Sequence, residues 1–150
     1  MNVTDLADEI YRELDYPEDL GIPNIVFFLT SNIGQLNVLI GSSYSLTQNN
    51  QIDPELGIAE AVILKYIYFV HYYNRLVRSN LGASAYDFSE ISEGDTTIRR
   101  ASRNEISKTY SQAKNALQER LNKLLLSYKQ DQTVPQSLSA AHDLLRFYRI

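Results

Sequence analysis

A chain of 150 residues with 44% hydrophobic and 21% charged side chains has the make-up of one folded domain, and wholesale disorder is excluded. It contains no cysteine, which removes disulfides, zinc–thiolate sites and thiol nucleophiles. The formal charge of −4 conceals a division: residues 1–60 carry ten acidic groups and one basic, residues 61–150 thirteen basic and eight acidic.

Charge runs usually face solvent, so two unlike solvated surfaces account for that division. The sharper account is contact between the acidic end of one subunit and the basic end of the next. Such a contact is heterologous and closes into a ring when the rotation permits. The opening MNVTDLADEI is acidic and has no apolar run, so no secretory signal is expected. The longest apolar stretch, AEAVILKYIYFV, is too short and too interrupted to span a membrane, and no membrane partner is expected.

A first helix is expected from Thr4 or Asp5, either of which can cap the free amides of a first turn. Leu6, Ile10 and Leu14 make its apolar stripe, with Asp8, Glu9 and Glu13 facing away. Pro17 and Gly21 in YPEDLGIP end it. Pro23 suits the first turn of a second helix, whose stripe of Ile25, Phe28, Leu29, Ile33, Leu36 and Ile40 runs on to a stop at Gly41. Gly34, in its middle, suggests a close helix crossing. The amide- and hydroxyl-rich SSYSLTQNNQI reads as a loop or extended arm.

Asp53-Pro54 has the form of a cap followed by a first-turn proline, which predicts a third helix from there. Its stripe passes through Leu56, Ala59, Val62, Ile63, Tyr66, Ile67, Val70, Tyr73 and Val77, widened by Tyr68, Phe69 and Tyr72. A face that wide predicts a central helix, closing at Gly82. A polar strap follows over residues 83–101. Phe88 and Ile91 are its apolar anchors, Glu93-Gly94-Asp95 signals a turn, and Thr96-Thr97-Ile98 suits a short strand. A small hairpin or a folded-back arm fits both. Ser102-Arg103-Asn104-Glu105 is a capping box for a long fourth helix carrying Ile106, Tyr110, Ala113, Leu117, Leu121, Leu124 and Tyr128. That helix ends by Pro135, and a short last helix is expected to hold Leu138, Ala141, Leu145 and Tyr148. The expected fold is therefore all-α, four to five helices with a long loop or small hairpin before the last long one. Residues 1–134 form the domain and 135–150 a tail or short helix.

The chemistry-bearing residues are sparse. His71 has no His, Asp or Glu four residues away to build a helical metal pair, and a packed or half-exposed structural role suits it better. His142 and Asp143 are adjacent, so a helix points them apart. Asp8, Glu9 and Glu13 lack the second ligand-bearing helix that a carboxylate metal site needs. No serine sits in a nucleophile elbow and no glycine-rich phosphate loop occurs. Nothing argues for an enzyme, a metal or a cofactor. Arg99, Arg100 and Arg103 gather at the start of the fourth helix, the positive end of its dipole, where they are unfavourable unless anions lie opposite. Solvent, phosphates and a partner's carboxylates all answer to that, with partner carboxylates preferred in a chain of pI 5.1. Eleven tyrosines and no tryptophan suit either core packing with hydroxyls at the rim or an interface.

Together these segments give a resemblance. The acidic first helix, the helix IPNIVFFLTSNIGQLNVLI, the long aromatic helix and the strap SEISEGDTTIRRASRNEISKTY feeding a terminal helix resemble the head–tail connector (adaptor) proteins of tailed bacteriophages. The pattern covers most of residues 4–129 and is fullest from Ser89 to Tyr128. The resemblance implies a virion structural protein, assembled in the host cytoplasm into a neck ring of typically twelve subunits. That ring docks beneath the portal, meets a tail or neck protein below, and passes DNA without reading its sequence. It also implies that the loop before the last long helix orders on assembly, and that the C-terminal segment, with Leu138, Leu145 and Tyr148, docks on the portal. The strap would then lie on a neighbouring subunit, with Phe88, Ile91 and Ile98 as anchors. Arg99, Arg100 and Arg103 would meet carboxylates near Asp5, Glu9 and Glu13. Competing readings are another helical neck or tail-completion protein, and a DNA-binding module such as a terminase small subunit. The latter needs a short basic recognition helix, which a long amphipathic helix fits poorly.

Overall fold

The computed structural model describes residues 2–49, 51–83, 90–93, 96–99 and 103–133; for 81–83, 90–93, 96–99, 103 and 104 it describes the backbone alone. The described residues form an all-α fold of five helices, α1 (Val3–Glu13), α2 (Ile22–Ser31), α3 (Ile33–Ile40), α4 (Ile58–Ala83) and α5 (Arg103–Thr133). Two small antiparallel ladders interrupt them: β1 (Ser45–Leu46) with β2 (Ile52–Asp53), and β3 (Glu90–Glu93) with β4 (Thr96–Arg99). The expected C-terminal helix, and Ser102 of the capping box, lie outside the described residues.

The α1 stripe is as expected and starts earlier. Asn2, not Thr4 or Asp5, is the cap, its side-chain oxygen accepting from the Thr4 amide at 3.2 Å. Those two or three extra residues bring Val3 into the core beside Leu6, Ala7 and Ile10. After α1 the chain turns through Asp15 and Tyr16, both left-handed, and Tyr16 packs edge-on against Tyr11. Pro17 disfavours the right-handed helical conformation at Tyr16, so the helix stops here.

The second expected helix is two helices. At Asn32 the backbone leaves helical geometry, and the Asn32 side-chain amide donates to the Phe28 carbonyl at 2.8 Å. The Thr30 hydroxyl donates to the carbonyls of Val26 and Phe27. Such side-chain bonds to the preceding turn compete with the helical ladder and bend or interrupt it. The buried line Ile25, Leu29, Ile33, Leu36, Ile40 nevertheless runs through the break without a phase change. Gly34 does not mark a helix crossing: it is exposed, and an added Cβ would meet nothing within 4 Å. Gly41 closes α3 at φ 70°, the left-handed cap expected of it.

Residues expected as a loop contain the β1–β2 ladder. Asn37 holds it to α3, donating to the Tyr44 carbonyl and accepting from the Tyr44 amide, each at 2.8 Å. This ladder also explains why α4 begins at Ile58 rather than at Asp53. Asp53 is extended, paired with Ser45, and cannot act as a helix cap. Gly82 lies inside α4, which runs to Ala83.

Helix α4 is central, packed against α1, α2, α3 and α5. One buried line is Ala61, Leu64, Tyr68 and Tyr72, and on it Tyr68 meets Phe28 of α2 edge-on at 5.1 Å. Of the expected line, Leu56, Ile63 and Ile67 are buried, whereas Val62, Tyr66, Val70, Tyr73 and Val77 are half-buried and Ala59 is exposed. Tyr73 lies 6.2 Å from the Tyr110 ring of α5, and the Arg120 guanidinium stands 5.4 Å over Tyr66. Helix α5 has 31 residues, about 46 Å at the α-helical rise. Its expected seam does face α4, but of its apolar side chains Leu121 alone is buried.

Candidate functional site

The strap carries a hairpin in its backbone. β3 and β4 pair antiparallel with Glu90 opposite Arg99, Ile91 opposite Ile98, Ser92 opposite Thr97 and Glu93 opposite Thr96. Glu90 and Arg99 thus pair at the end of the ladder farthest from the connecting turn. Two strands of four residues are marginal on their own in water, and a hairpin of this size needs a surface to lie on. Among the expected site residues, Ile91, Ile98 and Arg99 thus sit on the hairpin, and Arg103 is the first residue of α5. Phe88, Arg100, Leu138, Leu145 and Tyr148 lie outside the described residues.

The acidic residues of α1 are placed as follows. Asp5 is exposed in the first turn. Asp8 pairs along the helix with Arg12. Glu9 and Glu13, one turn apart, both accept from the Lys65 ammonium of α4, at 2.7 and 2.8 Å. Lys65 is mostly buried, whereas each glutamate side chain keeps 43% of its surface in solvent. Desolvation lowers the Lys65 pKa, but the hydrogen bonds and charges of Glu13 and Glu9 outweigh it, so the pKa stands raised. Two carboxylates around one ammonium leave a net negative charge on an open face. The clasp was missed in the sequence, although a lysine inside AVILKYIYF is a signal in itself, because a cation on an apolar helix needs a partner.

Beside that clasp lies a groove of about 340 Å³, floored by Leu14, Phe69, Tyr73, Ala113 and Leu117 with Glu13 on its rim. It exists because α1 ends where α4 and α5 continue, leaving the upper part of their seam uncovered. A second polar tie joins the other end of the long helices: the Tyr128 hydroxyl donates to Glu60 at 2.7 Å. Burial, then the Glu60 hydrogen bond and charge, push the Tyr128 pKa up to about 12. His71 packs against Phe28 with ring centroids 4.3 Å apart, and burial, then Arg75 and Arg78, lower its pKa. His142 lies outside the described residues.

Among the described residues no group of three or more His, Cys, Asp or Glu is placed to hold a metal ion, and no helix is long and apolar enough to cross a membrane. The described residues present an apolar groove with a carboxylate rim, and a hairpin with Arg99 at the end away from its turn.

Comparison with family models, with curated proteins and with solved structures returned no match. The functional reading therefore rests on the residues themselves and on the resemblance they carry.

Proposed function

We propose that this chain is a structural, non-enzymatic subunit of a tailed-bacteriophage neck, forming a homo-oligomeric ring, of twelve copies on the connector pattern, that joins the portal to the tail and lets DNA pass. The observation that supports this reading most is the position of the β3–β4 hairpin. It lies between the two long antiparallel helices, at the point where the resembled connectors carry the loop that orders on assembly. An arm with two opposed isoleucines and an adjoining arginine is complementary to the groove bounded by Leu14, Phe69 and Leu117, whose rim carries Glu13. Arm and groove are different patches of one chain, so pairing them copy to copy is heterologous, the geometry from which rings close. The salt bridges involved are exposed at their rims, so they give register and on-rate more than affinity.

The test is to mix the chain with a tailed-bacteriophage portal protein, in low salt, and to follow co-migration and negative-stain images. Rings that co-migrate with the portal, and that are lost on Arg99→Glu, are the expected result. No co-migration and no ring under any ionic strength would end the neck assignment.

A further inference from the structure

Beyond the Lys65 clasp, α4 carries a second charged cluster whose balance is the opposite one. His71, Arg75 and Arg78 stand at steps of four and three, so they share one face of the helix. With Asn74 and Ser79 they line a pocket of about 420 Å³. Two of the three are held from outside the helix. The His71 ring packs on Phe28 of α2, and the Arg75 guanidinium donates to the Asp19 carboxylate at 3.3 Å. Arg78 has no ion pair among the described residues. Neither arginine lies in the last turn of α4, so the helix dipole does not account for them. Two guanidiniums against one carboxylate leave a net positive charge, and every described residue lining the pocket is polar. His71 feels that surplus, since Arg75 and Arg78 add to burial in lowering its pKa. An anion seated among the three relieves the repulsion.

We propose that this pocket binds a phosphate group, on a nucleic-acid backbone or free in solution. The donors select the ligand. Each guanidinium presents a planar fork of N–H groups that meets two oxygens of one phosphate, while the Asn74 amide and the His71 ring add single donors. A tetrahedral phosphate has acceptor oxygens for all of these, whereas a lone carboxylate has two. Asp19 takes one edge of Arg75, which orients that guanidinium and leaves its other N–H groups for the ligand. The Ser79 hydroxyl donates to the Leu76 carbonyl at 3.0 Å, so it bounds the pocket without serving as a donor. An apolar segment finds no complement here. On a nucleic acid these groups meet phosphate oxygens and no base edge, so binding is indifferent to sequence. Arg75, Arg78 and Asp19 are all exposed, and water screens exposed charges, so a single phosphate is held weakly, in the millimolar range. None of this depends on the neck assignment.

Titration of the full chain with inorganic phosphate at constant ionic strength, followed by NMR of the His71 ring protons, tests it. A His71→Gln spectrum tells these protons from those of His142. Arg75→Gln and Arg78→Gln are the variants, with Lys123→Gln on α5 as the control; all three positions are exposed, and far-UV circular dichroism confirms folding. Phosphate should give a saturable shift and raise the His71 pKa, since a bound anion favours the imidazolium. Each arginine variant should bind about tenfold more weakly, the loss of one charge-assisted hydrogen bond, and Lys123→Gln should bind as wild type does. Acetate at the same ionic strength should shift the ring little. Mixed-sequence duplex DNA identifies the source. If the phosphate belongs to a backbone, the slope of log K against log salt should lose about 0.9 in Arg78→Gln. Phosphate binding with DNA affinity equal in wild type and variants marks a free phosphate compound instead, and the pocket stands. No saturable shift with phosphate, or arginine variants that bind as wild type does, would overturn the proposal. So would acetate acting as strongly as phosphate, which would assign the arginines to carboxylates of a partner protein. Any of these failures leaves portal co-migration untouched, and a chain that binds phosphate without joining a portal loses only the neck reading.

Discussion

The α1–α4 part of the molecule and α5 are built differently. Helix α4 buries Ala61, Ile63, Leu64, Ile67, Tyr68, Phe69 and Tyr72, with Leu64 fully enclosed. Helix α5 is five residues longer, yet buries one apolar side chain, Leu121. The rest of its seam (Ile106, Tyr110, Ala113, Leu117, Leu124, Tyr128) is half-covered, and Leu126 is 63% exposed. The first part is a finished core. The second is a long helix laid along one side of it, with one face half-covered and the remainder exposed.

That contrast is sharpest in stability. Leu64→Ala should lower the free energy of unfolding by about 2–5 kcal/mol, the cost of emptying an enclosed core site, read from denaturant midpoints at constant slope. Next comes the tie between the parts. Tyr128→Phe removes the hydrogen bond to Glu60 and should cost about 0.5–1.5 kcal/mol. If it costs as much as Leu64→Ala, α5 is held as firmly as the core and the comparison fails.

The Lys65 clasp fixes α1 to α4 and carries a pH signature. Its folded pKa is raised, so its contribution is fully present below the unfolded value of about 10.4 and is lost as pH rises through the folded value. Lys65→Gln should be less stable than wild type by about 0.5–1 kcal/mol at neutral pH, a modest figure because both glutamates are well solvated. The difference in melting temperature between the two proteins should hold to about pH 10 and shrink above it. A difference that instead grows with alkaline pH would contradict the clasp. The smallest effect is expected at Leu126→Ser, within about 0.5 kcal/mol of wild type, since the side chain is already in water.

Legibility in the sequence follows the same division. Helices α1 and α5 were readable because their stripes repeat at helical spacing with caps or breakers at their ends. The left-handed Gly41 and the hairpin in the strap were readable from turn chemistry. The break at Asn32 was hidden, because the buried stripe continues through it and the interruption comes from Asn32 and Thr30 bonding back to the preceding turn. The start of α4 was misplaced because Asp53-Pro54 has the form of a cap, and only pairing with Ser45 shows that Asp53 is strand. Lys65 with Glu9 and Glu13 joins residues 52 and 56 positions apart, a relation that no local window contains. Of the candidate site, the position of the arm was legible. The groove at the α1–α4–α5 junction was not, since it depends on where α1 stops relative to two helices far along the chain.

The central claim is that the β3–β4 arm completes its structure on an adjoining copy. Hydrogen–deuterium exchange on the backbone amides of Glu90–Glu93 and Thr96–Arg99, in the free chain and in the portal-bound assembly, measures this directly. Slow exchange gained only on assembly, and reduced again by Arg99→Glu, is the result expected. Equal exchange in the two states would contradict the claim.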